Sequence, residues 1–305
     1  MTTIDLAAID APDVVEALDF ESVYQQVVAH FKSIYPHWRA ALESDPVVKL
    51  LELFAYRELR LRARINDAGR SVMLAYATGA DLEHLAALLN VERHTIVEAD
   101  PDQASEAVRE SDPDLRARTQ LAPQGFSVAG PEGAYISHAR NAHAQVRDAS
   151  AISPAPCEVL VTVLARDGDG TADESLIEAV SAALRADDVR PLTDQVTVQG
   201  AEILRYAVRA RLVFFAGPDR AVALAAANKA MRQYTNAMHR LGMEVTLDGL
   251  YAAARAAGVQ KVILESPTTG IAASRQQAPY CTSIELIDGG VYTHDKGAHD
   301  TGPHD

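Results

Sequence analysis

Residues 45–77 read DPVVKLLELFAYRELRLRARINDAGRSVMLAYA, with no glycine or proline between Pro46 and Gly69. The spacing predicts one long helix. Asp45 can cap its start through a side-chain oxygen, and Pro46 at the first helical position gives up a backbone N–H that would be unpaired anyway. Gly79 supplies a stop. Leu51, Phe54, Glu58, Leu61, Ile65, Ala68, Val72 and Ala75 recur at alternating spacings of three and four, the seam along which one helix packs on others. Glu58 is its single charged intruder. At about 1.5 Å per residue such a helix is about 48 Å long, more than an ordinary domain of this size needs internally. Part of it is therefore expected to pack against something else.

A second amphipathic stretch precedes the first. Phe20, Val27, Phe31, Ile34 and Trp38 repeat the three-four spacing, and Pro36 ends or kinks that helix. Two successive seams point to a bundle, whose other members come either from this chain or from a partner. Each well-buried seam residue stabilises such a bundle by about 1.5–3 kcal/mol.

The 305 residues leave room for two or three compact units, and 48% hydrophobic with 23% charged residues is ordinary globular composition. Lys and Arg number 28 against 42 Asp and Glu, a formal charge of −14 that repels nucleic acid. Arg57, Arg60, Arg62 and Arg64 are spread around the long helix among Glu58, Leu59 and Leu61, and read as a solvated face with some ion pairs. The N-terminal residues Met1 to Asp10 carry acids and no basic stretch before an apolar one, so neither a secretory signal nor a transit peptide is expected there. No apolar run approaches the ~18–20 residues of a membrane span. Cys157 and Cys281 offer neither a disulfide framework nor a zinc site.

Beyond the long helix, Asp81 to Leu89 reads as a short helix. The acids Glu98, Asp100, Asp102, Glu106, Glu110, Asp112 and Asp114 then mark a solvated connector. Pro113 to Leu121 and Pro131 to Ala142 read as helices, and Gln145 to Ala151 as a strand. Glu158 to Ala165 (EVLVTVLA), Gln195 to Val198, Ile203 to Phe215 and Val259 to Leu264 read as strands, with helices over Ser175 to Arg185, Arg220 to His239 and Leu247 to Ala257. Ser283 to Ile287 adds an edge strand. The predicted class is α+β: a helical core-bundle region over 1–96, an acidic connector with short helices over 97–150, a split βαβ (ferredoxin-like) docking domain over 151–287, and a mobile tail over 288–305.

No catalytic constellation stands out. Gly125-Phe-Ser127-Val-Ala-Gly130 has one residue too many for a nucleophile elbow and lies between helices. Gly168-Asp-Gly170 reads as a tight turn, since Asp167, Asp169 and Asp173 would repel phosphate. His138 and His143 are off a common helical face, and His294, His299 and His304 decorate the tail, so no metal is assigned. The pairs Glu43/Asp45 and Asp187/Asp188 sit at helix ends, where capping accounts for them. Neither a cofactor nor a small-molecule substrate is expected.

Several motifs in one order carry a resemblance. They are Asp45-Pro46, Leu50-Leu-Glu-Leu-Phe-Ala-Tyr-Arg57 with Asn66, and Ala80-Asp-Leu-Glu-His-Leu-Ala86. Glu110-Ser-Asp112, Leu115-Arg-Ala-Arg118, Gly130 and Gly133-Ala-Tyr135 follow. Gly168-Asp-Gly-Thr171, Asp188-Val-Arg-Pro-Leu-Thr-Asp194 and Tyr206 complete the series. Over nearly the whole chain this resembles the baseplate protein J family of contractile-tailed bacteriophages and related contractile injection devices. The resemblance implies a structural, non-enzymatic wedge subunit, made in the host cytoplasm and built into the tail baseplate around the hub. Its implied partners are a second copy of itself, a shorter related wedge protein and a sheath-initiator-type protein, with no nucleic acid and no membrane. The C-terminal domains would join neighbouring wedges, and the ring would exchange one set of contacts for another on contraction.

The expected protein-interface residues are Leu51, Phe54, Leu61, Ile65 and Val72 on the long helix, with Phe31 and Trp38 on the one before it. Glu58 is either paired with an Arg of a neighbour or rotated out to solvent, the cheaper arrangement for a carboxylate. The rival reading is a ligand-binding regulatory α+β protein, whose melting temperature would rise with a metabolite rather than a protein partner. An enzyme stands third.

Overall fold

The computed structural model describes residues 4–292 apart from 5, 7, 8, 11, 40, 41, 43, 101, 103, 104, 127–129, 187, 188, 190, 192 and 218. It is a mixed α+β protein in two compact units, Met1–Pro123 and Gln124–Asp305. The division falls inside the stretch expected as a connector.

The first unit opens with α1 (Phe20–Ile34), which Asp19 caps by accepting from the Ser22 N–H at 2.8 Å. α2 (Pro46–Ser71) starts as the sequence predicts, with the Asp45 carboxylate accepting from Val47 N–H at 2.8 Å and Pro46 in the first turn. It is 26 residues long, about 39 Å rather than 48 Å. The chain leaves the helix at Val72 because Leu74 and Ala77 turn into a separate core with Leu82, Ala86, Val91 and Leu115. The Arg116 guanidinium takes over the freed carbonyls of Leu74 and Ala77 at 2.7 and 2.6 Å. Gly79 does not stop the long helix; it opens α3 (Gly79–Ala87).

The acidic stretch is also more ordered than a solvated connector. β1 (Thr95–Val97) pairs antiparallel with β2 (Val108–Arg109) ahead of α4 (Asp112–Leu121). Glu110 is buried and ion-paired with buried Arg118 at 2.5 Å. Arg93 reaches Glu83 at 2.7 Å and Asp112 at 2.6 Å. Burial works against the charge of Arg93, but the hydrogen bonds it donates to Asp112 and Glu83 outweigh it and raise its pKa.

The second unit begins with α5 (Glu132–Ala142) and holds two three-stranded sheets. In the first, β3 (Val146–Ile152) runs antiparallel to β4 (Glu158–Ala165). The crossover helix α6 (Glu174–Leu184) carries the chain to β5 (Gln195–Gly200), parallel to β4. Val161, Val163, Val180 and Leu184 are fully buried between this sheet and its helices.

In the second sheet, β6 (Glu202–Phe214) is central, antiparallel to β8 (Val259–Ser266) and parallel to β10 (Gln277–Val291). α7 (Arg220–Met238) and α8 (Leu247–Ala254) cover one face, burying Leu212, Phe214, Met231 and Leu250. β7 (Glu244–Val245) and β9 (Ile271–Ala272) form a small ribbon.

The strands expected to form one split βαβ sheet are thus divided between two. Only Ala201 separates β5 from β6, and its N–H still bonds Val163 of β4. β6 therefore runs on into a new sheet instead of turning back beside β5. β10 is also far longer than the edge strand expected over Ser283–Ile287 and runs through Val291, past the position 288 at which the tail is expected to start. Residues 293–305 lie outside the described residues.

Candidate functional site

With about 100° of rotation per residue, the positions of α2 sort into three faces. The first is internal: Val48, Leu51, Ala55 and Asn66 are buried. Asn66 Oδ1 accepts from the Glu16 N–H at 3.0 Å and its amide donates to the Glu16 carbonyl at 2.9 Å. The segment before α1 is thereby pinned along this side.

The second face lies roughly 90° away and is apolar and open. Phe54, Leu61, Ile65 and Val72 are 63%, 65%, 63% and 68% exposed, and Leu50 beside them is exposed too. Single exposed apolar residues are ordinary, but a stripe along a whole helix marks an interaction surface. Where α1 meets it, the stripe runs into a groove of about 450 Å³ lined by Val27, His30, Phe31, Ile34, Leu51 and Phe54. Trp38 closes on Phe31 edge-to-face at 5.2 Å between ring centroids.

The third face, on the far side of the stripe, carries Arg57, Arg60 and Arg64, all exposed. Between the open and internal faces, Glu58 pairs with Arg62 of its own helix at 2.6 Å, and Arg62 also reaches Glu16 at 3.4 Å. Glu58 is neither turned fully to water nor left awaiting an arginine from elsewhere.

Of the expected interface residues, Phe31, Leu51 and Phe54 come together at the groove. Leu61 and Ile65 extend the stripe, and Val72 sits at the helix C-cap. Leu51 is mostly consumed by packing inside the unit. The three-four spacing missed the internal face because Ala55 and Asn66 carry no large apolar group. It also missed exposed Leu53 and Tyr56.

The other motifs are structural. Gly168 and Gly170 have positive φ in a tight turn. There Asp169 accepts from the Thr171 hydroxyl and N–H and pairs with Arg205, and these hydrogen bonds bring its pKa down to about 2. A Cβ at Gly170 would stand 2.8 Å from the ring of His239, so glycine is required for close approach as well. His239 is buried against Tyr280, and burial first, then the Arg147 charge, brings its pKa down to about 4. Among the described residues no group of three or more His, Cys, Asp or Glu is arranged to hold a metal ion. No helix among them is long and apolar enough to cross a membrane. Ser127, Glu43, the Asp187/Asp188 pair and the histidines at 294, 299 and 304 lie outside the described residues.

Two α+β units with a long helix that holds an apolar face out to solvent define a structural assembly subunit. The Baseplate J-like N-terminal domain family matches residues 43–100 and the Baseplate J-like central domain family matches residues 127–200. Over 299 residues the chain is 45% identical to baseplate protein J of Escherichia phage P2, covering 95% of this chain and 99% of that protein. A chain of the anti-feeding prophage baseplate, solved by cryo-EM, superposes with a TM-score of 0.38 at 15% identity, over 63% of this chain and 47% of that one. The chain belongs to the baseplate protein J family, and it is a structural subunit of a phage-type tail baseplate.

Proposed function

We propose that this chain is a wedge subunit whose α1–α2 arm enters a helical bundle with other baseplate proteins. The observation that carries the reading is the open apolar stripe Phe54, Leu61, Ile65 and Val72, beside a groove already formed by Phe31 and Leu51. Packing a helix into that groove would remove these side chains from water at about 25 cal/mol per Å² of apolar surface, a gain that the chain alone forgoes. The seam residues Leu51, Phe54, Leu61, Ile65 and Val72, with Phe31 and Trp38, are the proposed contacts.

The helical region, expected over 1–96, is then the part committed to the bundle. The α+β domain, expected over 151–287, is the part that docks neighbouring wedges. The partners are a second copy of this chain, a shorter related wedge protein and a sheath-initiator-type protein, placed around the hub. The role is mechanical rather than enzymatic: the subunit holds a ring that exchanges one set of contacts for another.

The test is light scattering after size exclusion, on the chain alone and co-expressed with the other baseplate proteins of the same tail. A defined mixed complex, lost on Phe54→Asp with Leu61→Asp, is the expected result. A monomer or homodimer that joins none of them would overturn the reading.

A further inference from the structure

We propose that the open stripe of α2 receives an amphipathic helix from a different chain, and that this helix carries carboxylates along the flank that meets Arg57, Arg60 and Arg64. The inference rests on the docking reading above and names the partner's chemistry.

Spaced three and four apart, these arginines form a row along one side of the helix. The row borders the apolar stripe on the side away from the internal face. A helix seated on Phe54, Leu61 and Ile65 would therefore have α1 on one flank and the arginine row on the other. The three side chains are exposed and make no ion pair among the described residues, whereas Arg62 and Arg70 of the same helix each pair with an acid. Three uncompensated cations in a row are notable in a chain of net charge −14.

A second copy of this chain does not supply the complement from these helices. The acids of α2 are Glu52, Glu58 and Asp67, and each is already paired within its own helix, with Lys49, Arg62 and Arg70. In an antiparallel self-pairing about a two-fold axis the arginine rows would lie on the same side and repel. α1 carries one acid, Glu21 in its first turn. Charges flanking an apolar seam set partner choice more than affinity, by rewarding the complementary flank and penalising the like one. Within the bundle proposed above, the row therefore favours a different chain with an acidic flank over a second copy as the helix seated on this stripe.

The experiment uses the full chain and two synthetic helical peptides of about four heptads. They share one Leu seam and carry either Glu or Lys at the flanking positions. The proposal expects the Glu peptide to bind at least about tenfold more tightly than the Lys peptide, against the overall negative charge of the chain. The preference should shrink in about 1 M salt. It should reverse in the variant Arg57→Glu, Arg60→Glu, Arg64→Glu, whose exposed substitutions leave the fold intact by circular dichroism. Equal binding of both peptides would overturn the charge selection while leaving a docking stripe. Homodimerisation of the chain with no uptake of either peptide would overturn the inference in favour of self-pairing. A monomer that binds neither peptide would remove the docking reading along with it.

Discussion

The side-chain amide of Asn66 makes both of its hydrogen bonds to the backbone of one residue, Glu16, at 2.9 and 3.0 Å. A residue in the sixth turn of α2 thus fixes a segment fifty positions earlier in the chain. It settles which side of the helix is internal, and Phe54, Leu61 and Ile65 are consequently turned outward. Asn66 is buried, so Asn66→Leu leaves the Glu16 N–H and carbonyl without these partners. We expect a loss of about 1–3 kcal/mol in urea unfolding of the first unit. An unchanged midpoint would show that the segment before α1 is held by other contacts.

Phe54→Ala separates stability from assembly. The ring is 63% exposed in the chain alone, so its truncation should cost less than about 1 kcal/mol of folding stability. In a bundle that buries the ring, the same change should weaken association by about 3–5 kcal/mol. Calorimetry of folding and of complex formation on the same variant checks both halves.

The Glu110–Arg118 pair should be costly to break from one side. Both side chains are almost fully buried, at 0% and 4% exposure. Glu110→Gln removes the carboxylate charge that meets the buried guanidinium, and a loss of about 3–5 kcal/mol is expected. Replacing both residues by Met should cost less than the single change. A single variant of wild-type stability would show that the guanidinium's other contacts, the Glu92 carbonyl at 3.2 Å among them, suffice.

His239 predicts an acid-side weakness of the second unit. Its pKa is about 4 in the folded chain against an ordinary value of 6.5, so the folded state holds fewer protons than the unfolded one between those values. The stabilising contribution is complete above about pH 6.5 and is lost as pH falls towards 4, at about 1.4 kcal/mol per pH unit and on the order of 3 kcal/mol in all. The low pKa of Asp169 acts only at more acid pH, from its ordinary value of 3.8 down to about 2, so the two windows separate. His239→Gln should flatten the melting temperature between pH 6.5 and 4. A slope equal to wild type would assign the loss to other groups.

Much of this fold was legible because its strongest signals are local. Asp45-Pro46 marks the start of α2, and the β-branched run Glu158 to Ala165 gives β4 at the predicted bounds. What was not legible depends on distant pairing. β10 contains Pro279, Gly289 and Gly290, which argue against a long strand, yet its register along β6 holds it extended. Glu110 reads as one acid among many until Arg118 folds over it.

The docking face was half legible for a related reason. A three-four repeat finds the apolar stripe but cannot tell which of two adjacent stripes the chain keeps for itself. Here the internal one is built on Val48, Ala55 and Asn66. The single sheet expected for the α+β domain failed at Ala201, a one-residue link too short to reverse direction.

The central claim is that the open face of α2 is covered by another chain. Hydroxyl-radical footprinting of Phe54, Leu61, Ile65 and Val72, in the free chain and in the assembled baseplate, tests it most directly. Strong labelling in the free chain and protection of all four residues on assembly is the predicted result. Equal labelling in both states would contradict it.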